Sequence, residues 1–151
     1  MMEYHEILSA VRALIDEVKF GILATLDADG AVWQRWMSPV IIPRMPESLF
    51  CVSSIQFRKI PQIEAHAKVS WIFQTPSLER IATLRGTASI IHDPMLSAEV
   101  LEAIGPRLRV FWKYSENPSD MAVIETRIEE LEYFVPLKGM KETAKVVLHE
   151  V

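Results

Sequence analysis

A chain of 151 residues is the size of one ordinary domain, and a hydrophobic fraction of 50% is enough for a packed core, which excludes a disordered protein. The net charge of −4 argues against a general nucleic-acid binder, a class with a basic footprint. Cys51 is the one cysteine and cannot form an internal disulfide, no apolar run approaches the ~20 residues that span a bilayer, and Met-Met-Glu-Tyr-His-Glu is unlike a signal peptide. The expectation is a soluble, cytoplasmic protein with neither nucleic-acid nor membrane partner.

Ile7, Leu8, Val11, Leu14, Ile15 and Val18 recur at helical spacing, with Glu3, Glu6, Arg12, Asp16 and Glu17 largely opposite. That pattern predicts an amphipathic helix over residues 3–18. Phe20–Asp27 and Ala31–Ser38 read as two strands joined by the turn Asp27-Ala28-Asp29-Gly30, where Gly30 suits a positive φ. Pro39, Pro43 and Pro46 break the chain before a third strand, Ser48–Ser54. A short helix is expected over Gln56–Ala65, with Pro61 tolerable only near its first turn. Lys68–Thr75 alternates Val69, Trp71 and Phe73 with Ser70, Ile72 and Gln74 as a fourth strand. Arg80–His92 is a fifth, with Ala82, Leu84, Gly86, Ala88 and Ile90 on one face and Thr83, Arg85, Thr87 and Ser89 on the other. Asp93-Pro94 opens a helix to about Ala103, a second short helix is expected over Pro106–Lys113, and Met121–Ile128 and Glu130–Val135 read as two last strands. The expected domain is single: helix 3–18, barrel about 19–135, tail 136–151. Strands joined by short turns, with few βαβ units, predict a mainly β fold, a small antiparallel barrel with peripheral helices.

The chemistry concentrates after the third strand. Ser53 and Ser54 end it, and Arg58 and Lys59 fall in or beside the first turn of the short helix. Helix N-termini carry partial positive charge and prefer carboxylates, so two cations there make sense when an anion, phosphate above all, binds between them. The plain alternative is a pair of solvated charges beside a serine-capped helix. Arg35 tips the balance, because a cation in Val32-Trp33-Gln34-Arg35-Trp36-Met37 needs a partner or an exposed face. If the second strand runs beside the third, Arg35 brings a fork and Lys59 a point charge to one anion. Trp33, Trp36, Trp71 and Trp112 are either core anchors or stacking surfaces for a planar ligand. Cys51 reads as an inert buried thiol. His5, His66, His92 and His149 lack metal-ligand spacing, so no metal site is expected, and no nucleophile or glycine-rich motif singles out a catalytic residue.

The order of these segments (a helix, then FGILATLDADGAVWQRWMSP, LFCVSSIQFRKIPQIEAHAKVSWIF and RIATLRGTASIIHD) resembles the pyridoxamine 5′-phosphate oxidase-like FMN-binding split barrels over roughly residues 5–135. The subgroup it is most similar to is the short bacterial general-stress-protein flavin binders. The resemblance implies a six-stranded antiparallel split barrel, two copies of which form a homodimer with FMN at the subunit interface. Arg35 and Lys59 match the family's phosphate-binding arginine and lysine, with Arg58 and Ser53 beside them. Trp36 and Met37 match strand positions whose backbone borders the isoalloxazine ring, and Val52 matches another lining position. Trp112 resembles an aromatic that approaches the ring from the other subunit. Three departures stand out. Phe57 replaces a small hydroxyl residue, Ile81 stands near a ring-contacting glutamine of the true oxidases, and the chain stops before the segment that brings their substrate arginine. The expected function is therefore FMN binding by a flavin-dependent oxidoreductase of unknown substrate, with pyridoxamine phosphate oxidation disfavoured. Its rivals are a non-enzymatic module for flavin, deazaflavin or haem in a stress response, and an empty structural dimer.

Overall fold

Ile7, Leu8, Val11, Leu14 and Ile15 all turn inward from helix α1 (Tyr4–Val18), so the amphipathic stripe is its packing face. The Glu6 carboxylate accepts from the Glu3 N–H at the helix start, and Lys19 closes the far end in a left-handed conformation (φ 65°). The computed structural model describes residues 1–54, 57–105 and 121–146. Within them follow β1 (Gly21–Leu26), β2 (Val32–Met37), β3 (Ser48–Ser54), α2 (Lys59–Ala65), β4 (Lys68–Gln74), β5 (Ile81–Ile91), α3 (Pro94–Ile104), β6 (Met121–Val135) and β7 (Met140–Lys145). The helix expected over Pro106–Lys113 and Trp112 lie outside the described residues.

The strands form one antiparallel sheet in the order β2-β1-β4-β5-β6-β3, with β7 added to β6. The expected hairpin forms, with Leu23 opposite Arg35 and Thr25 opposite Trp33, and Gly30 takes φ 81° in the turn. Two expectations change at the C-terminal end. Met121–Ile128 and Glu130–Val135 are one strand, because a bulge opposite Arg85 and Gly86 absorbs Glu129 without ending the ladder. Gly86 is needed there, since a Cβ would lie 2.1 Å from the Arg127 carbonyl oxygen. The segment read as a tail contributes β7, so among the described residues the sheet still has seven strands although two of the seven read from the sequence are one.

A third difference concerns β3. It pairs with β6, not β2, and among the described residues only an isolated bridge from Val40 to Phe50 links the two edges. The sheet is therefore open between β2 and β3, and α2, leaving the end of β3, packs across that gap against β1 and β5. Both faces of β3 are buried. Leu49 and Cys51 join the main core, which includes α1, Leu23, Trp71, Phe73, Leu84 and Ile124. Phe50 and Val52 join a smaller core with Val40, Ile42, Val123 and the α3 residues Val100 and Ile104. Trp71 is a core anchor, stacked on Phe73 with its indole N–H donating to Thr126 Oγ1 at 3.1 Å.

Candidate functional site

Side chains from four elements converge at the gap between β2 and β3. Period-two alternation puts Trp33, Arg35 and Met37 on the face of β2 that matches the buried face of β1. Arg35 reaches inward from that face. Its Nη1 donates to the Leu23 carbonyl at 3.1 Å and to Thr25 Oγ1 at 2.7 Å, and its Nη2 donates more weakly to Gln62 Oε1 at 3.5 Å. Thr25 in turn donates to Gln62 Oε1 at 2.6 Å, which fixes the amide of Gln62 as the acceptor between them. Lys59, the first residue of α2, is 5% exposed, and its ammonium donates to Ser53 Oγ at 2.8 Å. Phe57 packs near that ammonium, 4.5 Å from nitrogen to ring centroid. The Arg58 guanidinium lies over the Trp33 indole, 4.0 Å from the ring centroid.

The electrostatics are one-sided. Burial, and then the nearby Arg35 charge, push the Lys59 ammonium down from the ordinary 10.5 to about 8. Burial and the Arg58 charge shift Arg35 downward as well. Lys59 thus feels the Arg35 charge, and Arg35 that of Arg58. Among the described residues none of them forms an ion pair with a carboxylate, whereas Arg44–Glu99, Lys68–Glu129, Arg80–Glu17, Arg85–Glu130 and Lys141–Glu132 all do. An unpaired, desolvated lysine beside two arginines costs stability in the empty protein. A dianion placed there would reverse that balance, with Lys59 as point charge and the arginines as planar donors. Burial pushes the neighbouring Cys51 thiol up to about 12, so it stays protonated and inert.

Arg35, Ser53, Arg58 and Lys59 are therefore brought together. Trp36 is not: its side chain points to the opposite face of β2 and is 64% exposed. Val52 faces the smaller core, away from Ser53. The expectations for Trp36 and Met37 concern their backbone, which runs along β2 at the edge of the gap, and that for Val52 a lining position on β3, whose side chain lies in the smaller core. The serines do not cap α2. Arg58 is its N-cap residue, without a side-chain cap bond, and Ser53 instead receives Lys59. With seven residues, α2 contributes side chains to the site, not an N-terminal dipole. Thr25 and Gln62 escaped the sequence reading, although each left a signal. The hairpin register places Thr25 beside Arg35, and Gln62 falls one helical turn after Lys59.

A mainly antiparallel β-sheet, open between β2 and β3 and flanked among the described residues by three helices, is the split-barrel class of fold. The profile of the pyridoxamine 5′-phosphate oxidase family matches residues 7–134, and the chain belongs to that family. It is 36% identical over 81 residues to the pyridoxine/pyridoxamine 5′-phosphate oxidase of Shewanella sediminis, a match covering 53% of this chain but only 35% of that enzyme. Among solved structures, it is similar to a Clostridium acetobutylicum protein related to general stress protein 26, of the pyridoxinephosphate oxidase family (15% identity, TM-score 0.76, 93% and 95% of the two chains). It is also similar to a heme binding protein from Mycobacterium smegmatis (19% identity, TM-score 0.73, 92% and 57%). At these identities the structures share the fold alone.

Proposed function

We propose that this chain binds FMN through its 5′-phosphate, as one subunit of a homodimer, and serves as a flavin-dependent oxidoreductase. One observation carries the reading: buried Lys59, half-buried Arg35 and exposed Arg58 stand at a single gap in the sheet, with no carboxylate paired to them among the described residues. The donor set fits a phosphate monoester. Lys59 has N–H groups left beyond its bond to Ser53, and Arg35 is held at a fixed angle by Leu23, Thr25 and Gln62. The backbone of Trp36 and Met37 would border the flavin ring, with Val52 as a further lining position, and Trp112 is assigned to it from the second subunit by resemblance alone. Bound FMN supplies the hydride or electron transfer, and the chain binds, orients and shields it.

The partner is a second copy. The outer sheet face beside the site carries Val32 and Trp36 on β2, Ile22 on β1 and Ile72 on β4, with Trp36, Ile22 and Ile72 in one cross-strand row. Val32, Trp36 and Ile72 are exposed, and covering such a row is what a dimer interface does. A non-enzymatic flavin or haem carrier is the second reading. It is favoured by the makeup of the cluster, where no carboxylate or histidine hydrogen-bonds to Arg35, Arg58 or Lys59 among the described residues.

The visible spectrum of freshly purified protein separates these readings. Flavin bands that bleach under a reduced nicotinamide support the oxidoreductase, and flavin bands that never bleach support the carrier. A haem Soret band, or colourless protein that takes up no added FMN, overturns the FMN assignment.

A further inference from the structure

Arg58 is exposed at the start of α2 and within electrostatic reach of Arg35, a like charge that disfavours its approach. An exposed arginine side chain with no partner would sample many positions in water. Among the described residues its guanidinium has no hydrogen bond and no carboxylate; its partner is the face of Trp33. Trp33 is itself held. Its indole N–H donates to Asp27 Oδ2 at 2.9 Å, while Asp27 Oδ1 accepts from the N–H groups of Asp29 and Ala31, both at 2.9 Å. Asp27 thus sits in the β1–β2 turn with both oxygens engaged and its charge intact. A carboxylate on the indole N–H adds electron density to the ring, which strengthens its attraction for a cation. Trp33 and Arg35 lie two residues apart on one face of β2, so a guanidinium held over one is set beside the other.

We propose that Asp27 and Trp33 are positioning residues that hold Arg58 at the mouth of the anion site, ready for a phosphate before it arrives. The inference rests on the phosphate reading of the same site. Holding a repelled cation in place in the empty protein removes an ordering cost from binding. Trp33 acts through Arg58 and touches no ligand.

A double-mutant cycle tests this, reading dissociation constants for FMN, for inorganic phosphate and, as a probe without phosphate, for riboflavin. Trp33→Leu is expected to weaken FMN and phosphate about 2- to 5-fold, the span of a cation–π contact between two exposed side chains. In an Arg58→Ala background the same change has no further effect. Trp33→Phe, which keeps a ring face but loses the N–H anchor, recovers part of the loss, and Asp27→Asn gives a smaller loss than Trp33→Leu. Riboflavin affinity stays constant throughout. An undiminished Trp33→Leu effect in the Arg58→Ala background, or a parallel loss of riboflavin, overturns the positioning role. Coupling seen with phosphate in a protein that ignores FMN would sustain this inference while the flavin reading fell; binding of neither anion overturns both.

Discussion

The double variant Arg35→Ala/Lys59→Ala is expected to lose FMN affinity by about two to four orders of magnitude. Each charge-assisted hydrogen bond to phosphate contributes about 1.5–3 kcal/mol, and 1.4 kcal/mol is tenfold in affinity. The fold should survive. Removing Arg35 leaves Thr25 still bonded to Gln62, and removing Lys59 leaves Ser53 a hydroxyl that can turn to the Ser54 carbonyl, 3.5 Å away. The loss should be specific to the phosphate end, so riboflavin binds the variant as it binds the parent. Quenching of flavin fluorescence during titration measures both. Unchanged FMN affinity in the double variant would mean that the flavin, if bound at all, is held elsewhere.

Lys59→Met is expected to strengthen the fold while weakening binding. The ammonium is buried beside another cation, with one hydroxyl as its hydrogen-bond partner among the described residues. Replacing a poorly compensated buried charge by a packed apolar chain of similar length is worth about 1–4 kcal/mol. For a chain of this size, each 1 kcal/mol moves the melting temperature by about 2–4 °C. The pH dependence supplies a second readout. The folded lysine titrates near 8 and the unfolded one near 10.5, so between those values the unfolded chain holds more protons. Stability of the empty protein therefore rises with pH across that window on account of Lys59, and below about 8 the burial penalty is present in full. Phosphate binding runs the other way, because it needs the ammonium and weakens as pH climbs through about 8. Melting curves of the two proteins at neutral and alkaline pH check this: the gap between them should narrow as pH rises. A methionine variant less stable than the parent at neutral pH would show that Lys59 is well compensated without an anion.

The fold was legible where local rules dominate. The α1 stripe, the Asp27–Gly30 turn and the alternation of β4 and β5 each follow from residues a few positions apart. What escaped depends on distant pairing. A single bulge at Glu129 turns two apparent strands into one, and the polar alternation of Met140–Lys145 resembles a solvated tail until β6 offers it an edge. The partner of β3 is decided by β6, more than sixty residues onward, so local sequence gave no reason to prefer it over β2. The cationic members of the site were visible because Arg35, Arg58 and Lys59 are chemically out of place in their segments. Thr25, Gln62 and Asp27 were not, since threonine in a strand, glutamine in a helix and aspartate in a turn are unremarkable until their hydrogen bonds are seen.

The account rests on a cationic gap that grips the phosphate of a flavin nucleotide. Parallel titration of the wild-type protein with FMN and with riboflavin at neutral pH and low salt tests it most directly. The prediction is saturable binding of FMN, at least about a hundredfold tighter than riboflavin, as two charge-assisted contacts require. Equal affinity for the two, or no uptake of either, would contradict it.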